Sequence, residues 1–314
     1  MPDYGHEIEF GYFLVPDANE PDGVLETAIL ADTLGYDLLG VQDHPYQPRH
    51  LDTLALLGVI LARTQRIRLF QAVANLPLRP PAVFAKAAAT LDLLSGGRFE
   101  AGLGAGGYLG PAHAMGAPEL TPGESLEALE EAVAIMRASW SDERRVDFDG
   151  RHYQLTGMRP GPLPAHPISI WLGAAKPRGL ALTGRVADGW VAPLMNYMPP
   201  AEITQAQDAI DRAAREAGRD PRAIRRIELV TGTFAATAPV PARDTDQAIV
   251  GTADHWAEAL THLAMDLGFG SFVLVAPPDP DTLRMFIEDV APDVRERVAA
   301  ARAGTSPVAV ERPV

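Results

Sequence analysis

The chain has 314 residues, of which 47% are hydrophobic, and a formal net charge of −14. This length allows one large α/β barrel or two smaller domains, with enough apolar content for a substantial core. The negative charge argues against binding a phosphate backbone as a main task, and the absence of cysteine excludes disulfides, thiolate metal sites and cysteine nucleophiles.

Strand and helix patterns alternate along nearly the whole chain. The predicted strands are short apolar runs bounded by glycine, proline and polar residues: 8–15, 36–41, 67–73, 99–103, 168–172, 189–192, 227–236 and 271–275. A predicted helix follows each strand: 22–34, 52–63, 80–94, 124–140, 178–184, 200–217, 252–267 and 279–290. A small hairpin is predicted over 146–155, with Asp149-Gly150 as its turn.

Eight strand–helix units predict an α/β protein built as a (β/α)8 TIM barrel, with insertion loops after strands 4 and 7. A doubly wound sheet is the main alternative, but its dinucleotide fingerprint is absent from the first strand–helix turn. Residues 1–301 are expected to form this single domain. Residues 302–314 lack apolar periodicity and are expected to be a loose tail.

A glycine-rich loop follows the fourth predicted strand. Gly102, Gly104 and Gly107 have G-x-G-x-x-G spacing, but Tyr108-Leu109-Gly110-Pro111 does not easily begin the helix that a dinucleotide site requires. That interpretation is weak, and a tight turn without a ligand remains an alternative for this segment alone. Bare backbone at a strand end nevertheless permits close approach of a ligand.

In (β/α)8 barrels the functional site lies at the C-terminal ends of the strands. This rule selects His44 with Asp43 after strand 2, and Asn75 after strand 3. His44 is the candidate proton-handling residue, because an unperturbed imidazole has a pKa of about 6.5.

The same rule selects the loops after strands 4 and 5. These are Gly104-Ala105-Gly106 and Gly173-Ala174-Ala175. The second loop precedes a helix, whose N-terminal N–H groups suit a phosphate, although an ordinary strand–helix connection is an equal alternative. No metal-ligand spacing occurs, so no metal site is predicted.

Several segments together resemble the bacterial-luciferase-like oxidoreductases. They are spread over most of the chain: 31–37, Asp43-His44, 95–99, 102–106, 170–174 and 187–190. The resemblance implies a (β/α)8 barrel that binds FMN or the deazaflavin coenzyme F420. It is closer to the F420-dependent branch, which commonly has Asp-His after strand 2.

The resemblance also implies roles for single residues. It places His44 beside the deazaflavin ring for proton transfer, and Asp43 and Asn75 in the cofactor site. It maps a non-prolyl cis peptide bond behind the ring to Ala72 and Val73. Loop Gly104-Ala105-Gly106 would lie along the cofactor, and Gly173-Ala174-Ala175 would hold its phosphate.

One position departs from part of that family. F420-dependent sugar-phosphate dehydrogenases have a glutamate acid after the glycine loop, where this chain has Gly107. We therefore expect hydride transfer between F420 and a small organic molecule that is not a sugar phosphate. The alternatives are an FMN-dependent monooxygenase with a separate reductase, a non-redox phosphate-binding barrel enzyme, and a non-catalytic relative.

Partners and location are expected from the same sources. The family often forms dimers, so a homodimer is expected, and a flavin reductase would be a further partner if the cofactor is FMN. No window approaches a membrane span and residues 1–6 lack a signal region. A cytoplasmic location, with no membrane or nucleic-acid partner, is therefore expected.

Overall fold

The computed structural model describes residues 3–242 and 248–304. Within these ranges, eight parallel strands form a closed barrel in which each strand pairs with the next along the chain. The strands are β1 (Glu9–Leu14), β2 (Leu38–Val41), β3 (Arg68–Gln71), β4 (Phe99–Gly104), β5 (Ile170–Gly173), β6 (Gly189–Val191), β7 (Arg225–Phe234) and β8 (Ser271–Val275). Strand β8 pairs with β1, with Ser271 opposite Glu9, and this pairing closes the barrel. The predicted (β/α)8 architecture is confirmed.

The helices surround the barrel. They are α1 (Pro21–Leu34), α2 (Thr53–Arg63), α3 (Pro81–Ser95), α4 (Pro122–Ser139), α5 (Pro177–Val186), α6 (Pro200–Glu216), α7 (Ala253–Met265) and α8, which comprises Pro280–Arg284, a π-helical segment Met285–Val290 and Ala291–Arg302. Gly35 ends α1 in the left-handed conformation, with φ of 92°. Across residues 3–242 and 248–304, no helix combines the length and apolar character needed to cross a membrane.

The middle of the barrel is a packed apolar layer. The rings of Phe70 and Trp171 meet edge to face, with their centroids 4.9 Å apart. A Cβ atom on Gly40 would lie 2.8 Å from Cζ of Phe70, and one on Gly189 would lie 2.5 Å from Cδ1 of Trp171. These glycines therefore make room for the two large rings, and the barrel is filled below its mouth.

The N-terminal end of the barrel is closed by charged side chains from several strands. Arg68 binds Glu9, and its Nη1 lies 2.9 Å from Oε1 of Glu100. Nη1 of Arg225 lies 2.9 Å from Oε2 of Glu9. Each charge has an opposite partner, which offsets the cost of removing it from water.

Four local predictions differ from the structure. The predicted hairpin has strands Val146–Asp149 and Gln154–Met158 joined by four residues rather than a two-residue turn, because Glu131 accepts hydrogen bonds from the N–H groups of the connection. The loop after β4 contains a short helix, Leu109–Ala114. The loop after β7 contains a short strand, Ile249–Gly251, which pairs with β7.

The fourth difference is the length of the last helix. Helix α8 was predicted to end at residue 290, before Pro292, but it continues to Arg302. Pro292 lies in the first turn of the final α-helical segment, where the missing N–H costs little. Residues 305–314 of the predicted tail lie outside the described residues.

A buried carboxyl group on β7 gives the first prediction. Glu228 is fully buried, neither of its oxygens has a hydrogen-bond partner in the described residues, and burial raises its pKa well above its ordinary value. The folded protein therefore retains a proton that the unfolded chain loses at a pH of about 4.3. Stability should fall as the pH rises through this window, by up to about 1.4 kcal/mol per pH unit.

Glu228→Gln removes this titration while preserving shape. Urea unfolding between pH 5 and 8 should show a flatter stability profile for the variant and a higher free energy of unfolding at neutral pH. Glu216→Gln on the exposed surface of α6 is the matched control and should leave the profile unchanged. Parallel stability profiles for the wild type and Glu228→Gln would contradict the raised pKa of Glu228.

Candidate active site

A cavity of about 820 Å³ opens at the C-terminal ends of β3 to β7. Its lining is predominantly apolar and includes eight of the eleven predicted site residues: Ala72, Val73, Gly104, Ala105, Gly106, Gly173, Ala174 and Ala175. The other three, Asp43, His44 and Asn75, do not line it. The strand-end rule therefore selects loops that share one cavity.

Val73 forms the floor of this cavity between two glycines. A Cβ atom on Gly104 or on Gly173 would lie 2.9 Å from Cγ2 of Val73. The peptide bond between Ala72 and Val73 is cis, as the resemblance implied. The glycines thus let β4 and β5 approach the Val73 side chain, and no Cβ atom stands at either strand end.

Helix α4 forms an apolar wall that the sequence did not reveal. Leu126 and Leu129 line the cavity, and the buried Ser125 donates a hydrogen bond from Oγ to the carbonyl oxygen of Ala105. The helix begins at a capping box in which Thr121 and Glu124 exchange hydrogen bonds. This fixed start positions Ser125, which in turn holds the glycine-rich loop.

The N-terminus of α5 lies next to the start of α4 and carries positive charge: a Cβ atom on Gly179 would lie 4.0 Å from Cδ1 of Leu126. Nε1 of Trp190 donates a 2.9 Å hydrogen bond to the carbonyl oxygen of Ala174, which holds the preceding loop. Lys176, at the N-cap, makes no side-chain capping bond. Lys176 and Arg178 both line the cavity, and Nη2 of Arg178 also lies 3.5 Å from Oε1 of Glu127 on α4. Free N–H groups, the helix dipole and two cations make this end suitable for an anion.

Asp43 lies beside the cavity in a buried network. Its carboxylate accepts hydrogen bonds from Nε and Nη2 of Arg79, at 3.0 and 2.8 Å, and from the backbone N–H of Asn75 at 3.0 Å. Nη2 of Arg79 also binds Asp52, the N-cap of α2. The carboxylate thus connects the loops after β2 and β3. It is directed to protein groups, and Arg79 is a residue of the site that sequence reasoning missed.

His44 lies outside the cavity lining, in a group of aromatic rings beside the glycine-rich loop. Its ring centroid is 5.9 Å from that of Tyr108, which follows the lining residue Gly107. Burial and then His50 lower the pKa of His44, while Asp43 opposes this shift. The imidazole is therefore neutral at neutral pH and can both donate and accept a hydrogen bond.

The chain matches the family model described as luciferase-like monooxygenase over residues 8–304. Among curated proteins, it is 33% identical over 236 residues to an F420-dependent glucose-6-phosphate dehydrogenase of Nocardia farcinica. That alignment covers 70% of this chain and 67% of the relative.

Solved structures share the fold. An F420-dependent secondary alcohol dehydrogenase bound to an F420–acetone adduct superposes with a TM-score of 0.80 at 21% identity, covering 92% of this chain and 99% of that one. The oxygenating constituent of 3,6-diketocamphane monooxygenase from Pseudomonas putida, bound to FMN, gives 0.71 at 18% identity, covering 91% and 98%. At these identities the likeness establishes the fold alone.

Proposed function

Because the chain belongs to the luciferase-like monooxygenase family, we propose that it is an oxidoreductase that binds coenzyme F420 in the cavity and transfers a hydride between F420 and a small organic substrate. The observation that carries the proposal is the glycine cradle around Val73, in which Gly104 and Gly173 let two strand ends pack against this side chain at the cavity. The name of the Nocardia farcinica relative supports F420 over FMN.

The residues present fit a deazaflavin. The floor at Val73 would support the ring system, and the N-terminus of α5 with Lys176 and Arg178 would hold the phosphate. The buried Oδ1 of Asn75 has no hydrogen-bond partner in the described part of the chain, but Asn75 lies outside the cavity lining, so its contact with the cofactor rests on the resemblance. When bound, F420 supplies the carbon that accepts or releases the hydride. The protein positions both reactants and excludes water.

The substrate that we propose is apolar or moderately polar, and not a sugar phosphate. Gly107 stands where the sugar-phosphate enzymes have their glutamate, and a Cβ there would meet no atom within 4 Å. The space is therefore open and lacks an acid. The nearby lining is apolar and includes Leu109, Leu126, Leu129, Val191 and Leu229. Glucose 6-phosphate belongs in the substrate panel, since turnover of it at the rate of the best substrate would contradict this part of the proposal.

A fluorescence titration of the purified protein with F420 and with FMN tests the cofactor. We expect F420 to bind at least about tenfold more tightly, which corresponds to about 1.4 kcal/mol. Tighter binding of FMN would replace the proposal with an FMN-dependent monooxygenase that requires a reductase. Binding of neither would favour a non-redox barrel enzyme, and binding without turnover of any substrate would favour a non-catalytic relative.

The cradle makes a separate prediction. Gly173→Ala places a methyl group against Val73, so the floor must shift, and F420 affinity should fall about tenfold or more. Gly107→Ala adds the same methyl group into open space on the same cavity and is the matched control. Equal affinities of the two variants, measured by titration, would argue against a floor at Val73.

We also propose that the protein forms a homodimer through α2 and α3. Val83 and Leu94 are exposed at 66% and 83%, and their spacing places them on one face of α3. Val59 on α2 is exposed at 45%. Analytical ultracentrifugation should show a dimer for the wild type and a monomer for Val83→Glu with Leu94→Glu. A monomeric wild type, or a dimer that persists in the double variant, would contradict this interface.

A further inference from the structure

Four aromatic rings cluster beside the glycine-rich loop that lines the cavity, and three of them were not among the predicted site residues. The ring of His44 lies 5.4 Å from that of Tyr46, 6.4 Å from that of His50 and 5.9 Å from that of Tyr108, measured between centroids. The Tyr46 and Tyr108 rings are 6.1 Å apart. The loops after β2 and β4 therefore meet at this cluster.

One hydrogen bond in the cluster joins titratable groups. The hydroxyl of Tyr46 bonds to Nδ1 of His44. Burial, with smaller contributions from Tyr108 and Asp43, raises the pKa of Tyr46 to about 12, so the phenol keeps its proton at neutral pH. A protonated phenol can donate to the lone pair of a neutral imidazole.

The groups around His44 do not compete with the hydrogen bond between Tyr46 and Nδ1. The carboxylate of Asp43 is directed to Arg79 and to the N–H of Asn75. The remaining neighbours are His50 and Tyr108, which contact the imidazole through their rings. Within the described residues, the imidazole therefore makes its side-chain hydrogen bond to Tyr46, through Nδ1.

We propose that Tyr46 is a positioning residue that donates its hydroxyl proton to Nδ1 of His44 and so places the imidazole proton on Nε2. A neutral imidazole carries a single N–H, and the hydrogen bond at one nitrogen decides which nitrogen carries it. His44 then offers Nε2–H to a ligand as a donor. The catalytic role of this tautomer rests on the proposed function. The tautomer itself can be tested without it.

Nitrogen NMR of the ligand-free protein, labelled with 15N-histidine, tests the tautomer directly. The chain has 8 histidines, and the signal lost in His44→Gln identifies His44. We expect the Nε2–H tautomer in the wild type and a mixture of both tautomers in Tyr46→Phe. Tyr108→Phe removes a hydroxyl from the neighbouring ring and should leave the tautomer of His44 unchanged. An Nδ1–H tautomer in the wild type, or no change in Tyr46→Phe, would overturn the assignment.

Kinetics separate positioning from packing. Tyr46→Phe should lower kcat by about tenfold, keep KM within about twofold and move the pH profile of kcat, since His44 loses its partner at Nδ1. If kcat falls in Tyr46→Phe while the pH profile and the His44 tautomer stay unchanged, Tyr46 acts only through packing and the proposal is overturned. If neither F420 nor FMN binds but the NMR result holds, the proposed function fails and the assignment of the pair stands.

Discussion

Replacing Asp43 by alanine should lower the free energy of unfolding by about 3–5 kcal/mol, because the change leaves a buried guanidinium without its main partner. The side chains of Asp43 and Arg79 are only 1% and 12% exposed, so water cannot substitute freely for the lost carboxylate. The backbone N–H of Asn75 loses its acceptor at the same time. Urea unfolding at neutral pH measures the loss.

Two further variants show which lost contacts account for the destabilisation of Asp43→Ala. Asp52→Ala removes the exposed partner of Arg79 and the N-cap of α2, and should cost only about 1 kcal/mol. Asp43→Asn keeps an acceptor for Asn75 without the charge, and should lie between the two. A loss in Asp43→Ala no larger than that in Asp52→Ala would contradict the large contribution expected of the buried Asp43–Arg79 pair. F420 binding by folded Asp43→Asn then tests the direct cofactor contact that the resemblance implied.

The second large effect concerns His44. His44→Ala should lower kcat about 10²- to 10⁴-fold, as expected for loss of a general acid or base, and change the F420 dissociation constant by less than about fivefold. In the proposed reduction, F420 would supply the hydride and His44 would supply the proton from Nε2–H. Because the lowered pKa of His44 keeps the resting imidazole neutral, Nδ1 would take up a proton from solvent in the same step, so that the imidazole ends neutral.

Steady-state kinetics with the best substrate, together with a cofactor titration, measure both quantities. His262→Ala on α7 is the matched control, because His262 pairs with Asp266, the C-cap residue of α7, and should not affect turnover. Unchanged turnover in His44→Ala would remove His44 from the mechanism. A loss of cofactor affinity as large as the loss of turnover would instead assign His44 to binding.

Much of the fold was predictable because its signals are local. Each barrel strand is a short apolar run, and each is followed by a helical pattern, so the order of elements follows from neighbours in the sequence. The loops after β4 and β5 were placed correctly because the strand-end rule needs only the strand boundaries. The end of α8 was predicted wrongly since Pro292 signals a helix end locally but is accommodated after a π-helical turn.

The missed residues of the site act through distant partners. Arg79 reaches Asp43 across 36 positions of the chain, and Ser125 reaches Ala105 across 20. Trp190 supports Ala174 from the neighbouring strand. Tyr46 lies two residues from His44, but its role depends on how the loop folds the two rings together. None of these contacts has a signature in periodicity or composition.

The amino-acid sequence by itself determined the eight alternating units, the positions of the glycine loops and the choice of His44 as the proton-handling candidate, because these depend on residue type and local spacing. Only the tertiary structure decided that Gly104 and Gly173 face one Val73 side chain, that Asp43 is occupied by Arg79, and that Tyr46 binds Nδ1 of His44. Closing the barrel sets the register between strands, and that register selects which side chains meet at the mouth.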